Sequence, residues 1–263
     1  SDRNGRGQDM SSDSLDIDLL RKDFSKNGFC NMPVPSEDEQ QWSHQFVEDK
    51  WIESLKQGCP EIALEADGLG LGRYHEISHK INHSSFWTKD QRIFTSVEVD
   101  KIIGNLSVFK SLEKVFGDFE VEDIEGIGYS EIYWRLVRPN CDNDVAVAHK
   151  DSWFYSITNH MSSEQQAGIV KVWLPVIAPT GNSGLSVFPG THKIDIPYAS
   201  EVRHGREKPT GDTRILESFP QKMLPLEVGQ AVAFDKELLH KGLAHKGNLT
   251  RVSIEFAIRL TKY

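Results

Sequence analysis

Apolar positions recur at helical spacing in the first part of the chain and alternate with polar ones in the second. Residues 16 to 27 (DIDLLRKDFSKN) set Ile17, Leu20 and Phe24 on one face, and Gly28 follows where a helix end favours glycine, so a short helix is predicted. Ser36 and Glu39 have the spacing of a capping box ahead of Trp42, Phe46, Ile52 and Leu55, which predicts a helix up to Gly58. Residues 58 to 84 lose this regularity. Gly58, Gly68, Gly70 and Gly72 interleave with Arg73, Tyr74, His75, His79 and His83, a pattern that predicts a long loop or lid with Arg73, Tyr74 and His75 facing a substrate. Helical spacing returns over 98 to 116, with Gly117 as a stop.

From about residue 119 the pattern changes to short β-rich runs bounded by turn residues: EIYWRLVRP, VAVAH, IVKVWLPVI, LSVFPG, KMLPLEV, AVAF and RVSIEFAIRL. Helices at one end of the sequence and antiparallel-looking strands at the other predict an α+β fold, its N-terminal helices buttressing a sandwich or jelly roll. The expected organisation is a disordered tail over 1–14 and one domain over 15–263, helical in 15–117 and β-rich in 118–263. No internal repeat interrupts it.

Composition narrows the function classes. Hydrophobic residues make up 38% and charged residues 26%, the balance of a globular chain. A net charge of -9 with no long run of Lys and Arg argues against nucleic acid as a partner. No stretch reaches the roughly 18 apolar residues of a membrane span and no signal-peptide core is present, so a cytoplasmic protein is expected. Cys30, Cys59 and Cys141 are far apart and in no CxxC pair, which predicts free thiols. Nothing in the sequence sets an oligomeric state.

The candidate chemistry begins at His149 and Asp151. They follow the alternating run VAVAH, and on an extended strand residues two apart point the same way, so both can reach one metal. Two such ligands need one more to complete a facial triad with three open positions. His240, after the strand and turn of GQAVAFDKELLH, is the best third ligand, and His245 in AHKGN is its competitor. An HxD tripeptide alone recurs by chance. Arg251 and Ser253 then share one face of RVSIEFAIRL, where a guanidinium and a hydroxyl could anchor a dicarboxylate co-substrate.

HKD at 149–151, VWLPV at 172–176, GLSVFPGTHK at 184–193 and GQAVAFDKELLH through Arg251 together resemble the phytanoyl-CoA dioxygenase family of iron(II)/2-oxoglutarate oxygenases, over roughly residues 124 to 260. The resemblance implies a double-stranded β-helix, with His149, Asp151 and His240 as iron ligands. It also implies that Arg251 binds the distal carboxylate of 2-oxoglutarate beside Ser253, and that Trp173 lines the co-substrate pocket. Iron(II), 2-oxoglutarate and O2 are then the expected cofactor and co-substrates, with succinate and carbon dioxide as coproducts. Halogenating relatives carry a small residue at the position of Asp151, so its presence favours hydroxylation.

Other residues have two readings each. Tyr133 and Arg135 share a face of EIYWRLVRP and suit either the proximal carboxylate of 2-oxoglutarate, the substrate, or ordinary packing and ion pairing. Trp153 and Tyr155 lie on the side of Asp151 if the segment is extended, as substrate-pocket walls or plain core. His192 reads as a turn residue, and the His75, His79, His83 series as surface histidines in preference to a second metal site. Coenzyme A would need a basic docking surface that this charge does not suggest, so a small polar metabolite or natural-product intermediate is the expected substrate. The rival functions are a non-catalytic jelly-roll binding module and a cupin-like metalloenzyme without 2-oxoglutarate. All three ligands present together with Arg251 argue against the first, and Arg251 with Ser253 separates the second from the oxygenase reading.

Overall fold

The computed structural model describes residues 15–203 and 206–262, and the expected tail over 1–14 lies outside them. The first predicted helix runs Ile17–Asn27, capped by Asp16 and closed by Gly28 at φ 85°. The second runs Glu37–Gly58, with the Ser36 side chain accepting from Glu39 N. Its capping box is only half made, because the Glu39 carboxylate turns instead to the backbone N–H and hydroxyl of Ser107.

Two expectations need correction. Residues 58 to 84 are not a loop: a helix spans Pro60–Leu69 and short 3-10 turns span Leu71–Glu76 and Ser78–Lys80. Ile62, Ala63, Ala66, Leu71, Tyr74 and Ile77 supply a buried stripe that the interleaved glycines and histidines obscured. Residues 98 to 116 are two helices, Ser96–Asn105 and Val108–Phe116, because Leu106 turns extended between them. The full capping box in this region is Thr95 with Glu98.

The strands, in chain order, are β1 (Phe29–Asn31), β2 (Phe119–Val121), β3 (Ile132–Val137), β4 (Ile169–Ile177), β5 (Leu185–Val187), β6 (Tyr198–Arg203), β7 (Arg206–Gly211), β8 (Lys222–Met223), β9 (Val232–Asp235), β10 (His240–Gly242) and β11 (Arg251–Leu260). A main sheet has the order β1-β9-β4-β11-β2, with β3 beside β2 along the same edge of β11. A smaller sheet has the order β10-β5-β8, and β6 and β7 form a hairpin. Every pairing is antiparallel. The run VAVAH forms no strand beyond one isolated bridge at His149.

Alternation along the main sheet sorts residues by face. Ile132, Trp134, Val172, Leu174, Ile254 and Phe256 join Trp51, Leu55, Tyr74 and Leu112 of the helices in the largest core. The opposite face carries Trp173, Val232 and Phe234, which pack on Leu185 and Val187 of the smaller sheet in a second core. Between these sheets the same face presents Tyr133, Arg135, Lys171, Arg251, Ser253 and Glu255 to a cavity. The fold therefore gives helices one face of the sheet and chemistry the other. Among the described residues no helix is long and apolar enough to cross a membrane.

Candidate metal centre

His149 and His240 are fixed to each other before any ligand arrives. The two residues exchange backbone N–H to carbonyl hydrogen bonds, both of 3.0 Å, across the isolated bridge. Each ring also meets a carbonyl two residues upstream: His149 Nδ1 lies 2.7 Å from Val147 O and His240 Nδ1 lies 2.9 Å from Leu238 O. A proton held on Nδ1 by these acceptors leaves the Nε2 lone pair for a cation, the usual orientation of a metal-binding imidazole.

Asp151 completes the group. Lys150 is extended, so His149 and Asp151 emerge on one side, but Asp151 opens a helix, Asp151–Ile157, where an extended segment was expected. Asp151, Ser152, Trp153 and Tyr155 are buried and Phe154, Ser156 and Ile157 half-buried, and so short a segment with so little polar face has no periodicity to tell helix from strand. Ser152 ties the helix start to the turn before His240, donating from its N–H to Lys236 O and from its hydroxyl to Glu237.

The Asp151 carboxylate lies 3.7 Å from His149 Nε2 and 3.8 Å from His240 Nε2, and its Oδ2 is buried without a partner. The three ligand atoms lie within 4.8 Å of one another. Burial pushes the Asp151 carboxyl up, but His240, His149 and Lys171 outweigh it and hold the group well below the usual carboxylate range. Burial first, and His149 next, push the His240 imidazole down to about 4. An ionised carboxylate and two imidazoles converge on one point, with an orphaned oxygen among them. This donor set fits iron, which the three residues could bind.

Two cavities meet at this point. The smaller, about 90 Å³, contains all three residues and extends to Trp173, Gly184, Arg251 and Ser253. Arg251 is 5% exposed, Nη1 has no hydrogen-bond partner, and burial pushes the group down to about 10. Its guanidinium crosses Gly184, where a Cβ would overlap it. Ser253 is beside it, its hydroxyl donating to Glu255 at 3.3 Å. The larger cavity, about 350 Å³, reaches His149 and Asp151 from the other side and is walled by Ile124, Phe154, Tyr155 and Asn159. Tyr133, Arg135 and Lys171 line both.

The remaining predicted residues separate. Trp153 is in another apolar cluster with Phe188, Leu216 and Leu239, stacked on Tyr198, and lines neither cavity. Arg73 is bound to Glu76 at the surface, while Tyr74 is fully buried between Trp87 and His83. His75 holds the hydroxyl of Thr250, the residue before Arg251, through its N–H and ring at 3.1 and 3.0 Å. None of the three lines either cavity. His245 is buried with both ring nitrogens unpartnered but outside the ligand cluster, and His192 meets Ser25 O.

Sequence reasoning passed over Lys171 and Glu255. The Lys171 ammonium donates to the Tyr133 hydroxyl at 2.9 Å and lies 3.8 Å from Glu255, which accepts from the Tyr133 hydroxyl at 2.9 Å. A charged residue inside an otherwise apolar strand was the available signal for both.

The sequence profile of the phytanoyl-CoA dioxygenase family matches residues 24–253. No curated protein matches the chain. Among solved structures, an α-ketoglutarate-dependent epimerase, SnoN, in complex with Fe3+, α-ketoglutarate and nogalamycin RO, is similar with a TM-score of 0.54 and 12% identity, covering 92% of this chain and 83% of its own. EctD from S. alaskensis, with 2-oxoglutarate and 5-hydroxyectoine, gives a TM-score of 0.57 at 12% identity, over 95% and 79% of the two chains. The carbocyclase SnoK from nogalamycin biosynthesis gives 0.53 at 14%, over 92% and 83%. At these identities the likeness is one of fold.

Proposed function

This chain belongs to the phytanoyl-CoA dioxygenase family, and we propose that it is an iron(II)- and 2-oxoglutarate-dependent oxygenase that hydroxylates an unactivated C–H bond of a small polar molecule. In this reading residues 15–263 are one domain and the two facing sheets are a double-stranded β-helix. The observation that carries it is Arg251: a buried guanidinium without an acceptor opens onto the same cavity as His149, Asp151 and His240. A buried unpaired charge costs several kcal/mol, roughly, unless a counter-ion arrives, and the distal carboxylate of 2-oxoglutarate is that counter-ion.

Iron would be held by Nε2 of His149, Nε2 of His240 and the Asp151 carboxylate. When bound with 2-oxoglutarate and dioxygen, it supplies an oxidant for C–H bonds, and succinate and carbon dioxide are released. The chain's own work is placement. The backbone bridge and the Val147 and Leu238 carbonyls hold both imidazoles aimed, burial keeps His240 neutral, and the buried Asp151 stays ionised. Arg251 and Ser253 orient the co-substrate against Trp173. The substrate occupies the larger cavity beside Tyr155, because the smaller one is filled by 2-oxoglutarate.

Anaerobic protein loaded with iron(II) is the direct test. Adding 2-oxoglutarate should raise a weak visible charge-transfer band that saturates; loaded protein that shows no band would rule out the assignment. Metabolite pools screened for substrate-stimulated succinate release, followed by mass spectrometry, then read the reaction type. Gain of one oxygen atom supports hydroxylation, and loss of two hydrogens would replace it with desaturation.

A further inference from the structure

The wall shared by the two cavities carries an arginine whose guanidinium has no hydrogen-bond acceptor among the described residues. Arg135 stands on β3 opposite Ser253 of β11, facing the cavities. Its side chain is 37% exposed, makes no hydrogen bond among the described residues, and has one ionic neighbour, Glu255 Oε1 at 3.9 Å. Arg138, three residues on, shows what a satisfied arginine looks like here: two side-chain bonds of 2.8 Å to Asp144. Glu255 has little left for Arg135, since it already accepts from Tyr133 and Ser253 and lies beside Lys171.

Charge tells the same story. Arg135 and Lys171 are two cations sharing one carboxylate, Glu255. On the reading above, the metal's two positive charges are met by Asp151 and the proximal carboxylate of 2-oxoglutarate, and Arg251 is met by the distal one. The other carboxylates of the larger cavity are paired elsewhere, Glu125 and Glu131 with Lys89, Glu122 with Arg259 and Asp144 with Arg138, so the Arg135 guanidinium is left with its N–H donors and, among the described residues, no hydrogen-bond acceptor.

We infer that the primary substrate is a carboxylic acid whose carboxylate is gripped by Arg135 at the boundary of the two cavities, with its carbon skeleton against Phe154 and Tyr155. This rests on the iron and 2-oxoglutarate reading of the site. A neutral sugar or a protonated amine would leave the guanidinium's charge unanswered, whereas a planar carboxylate accepts two parallel charge-assisted bonds from it. The chain's net negative charge therefore does not decide what this one guanidinium binds.

The test uses protein saturated with manganese(II) and 2-oxoglutarate, in which no turnover is needed, and reads the proton relaxation of two probes, propionate and propionamide, by NMR. Propionate should be relaxed by the bound metal and propionamide should not. Arg135→Gln should reduce the propionate effect by about tenfold or more, Arg135→Lys should keep part of it, and calorimetric binding of 2-oxoglutarate should be unchanged in both. Equal relaxation of acid and amide, relaxation of neither, or full propionate relaxation in Arg135→Gln would overturn the inference. So would a loss of 2-oxoglutarate binding in Arg135→Gln, which would assign Arg135 to the co-substrate. Wild-type protein that fails to bind 2-oxoglutarate in a metal-dependent way would instead remove the functional reading itself, a failure seen before either probe is added.

Discussion

Replacing Gly184 by alanine tests the role of Arg251 without removing a polar atom. Gly184 has φ +79°, and a Cβ there would overlap Nη1 and Cζ of Arg251 and lie 2.6 Å from Nε. The backbone is pinned, because the Gly184 carbonyl accepts from Leu243 N at 2.7 Å just before β5 begins. The obstructing atoms belong to the far end of a long side chain, so the guanidinium moves and the loop stays. Two effects should follow. An alanine in the left-handed region costs about 1–2 kcal/mol, seen as a lower melting temperature. A displaced guanidinium loses a charge-assisted hydrogen bond to the co-substrate, worth about 1.5–3 kcal/mol. At 1.4 kcal/mol per factor of ten, 2-oxoglutarate should bind roughly 10- to 150-fold more weakly.

Gly181→Ala is the control. Gly181 has φ +70° in the same turn, and nothing lies within 4 Å of the point a Cβ would occupy, so alanine there carries the backbone strain alone. Calorimetric titration of 2-oxoglutarate into anaerobic iron(II)-loaded protein should separate the two variants, while thermal unfolding without ligand should show similar losses. Equal 2-oxoglutarate affinities in Gly184→Ala and Gly181→Ala would refute the anchoring role of Arg251.

Three further outcomes are expected. His149→Ala or Asp151→Ala should abolish metal-dependent succinate formation and His245→Ala should retain it; the reverse ranking, read by a coupled succinate assay, would move the third ligand. Arg251→Met should weaken 2-oxoglutarate binding by about 2–5 kcal/mol, yet raise the melting temperature of the ligand-free protein, because a cation buried without a partner is replaced by an apolar chain of similar length; a lower melting temperature would show that Arg251 has a structural partner. Burial first holds the His83 imidazole down to about 4, so the unfolded chain takes up the proton first, and ligand-free stability should fall by on the order of 3 kcal/mol as pH drops from 6.5 towards 4. Urea unfolding of His83→Leu should show a shallower pH slope than wild type, and identical slopes would remove His83 from the account.

How much of this could be read from the sequence depends on the range of the interaction concerned. Strand parity is local, so the placing of Arg251 and Ser253 on one face of RVSIEFAIRL held in the structure, with Val252, Ile254, Phe256 and Ile258 on the other. The link between His149 and Asp151 also survived the mistaken strand, because only Lys150 between them needed to be extended. Tyr74, by contrast, looked like a lid residue among glycines, and its burial depends on Trp51 and Trp87, which no local pattern brings near it.

Lys171 and Glu255 show where local reading stops. Each is a charge in a strand that otherwise reads as core, and parity alone puts each opposite the helices. What it cannot supply is register: β4 and β11 pair Lys171 with Ala257 and Trp173 with Glu255, so the two charges meet on the diagonal. β3 on the other edge of β11 then adds Tyr133 opposite Glu255 and Arg135 opposite Ser253. Three strands from separate parts of the chain must align within one residue before these side chains meet, since a slip of one would turn every one of them into the apolar core. The three residues that could hold iron are recognisable as a motif because their spacing is short or their context is ordered. The unanswered Arg135 guanidinium beside them is a property of the sheet, and for that reason the proposed carboxylate site is read from the register and not from a motif.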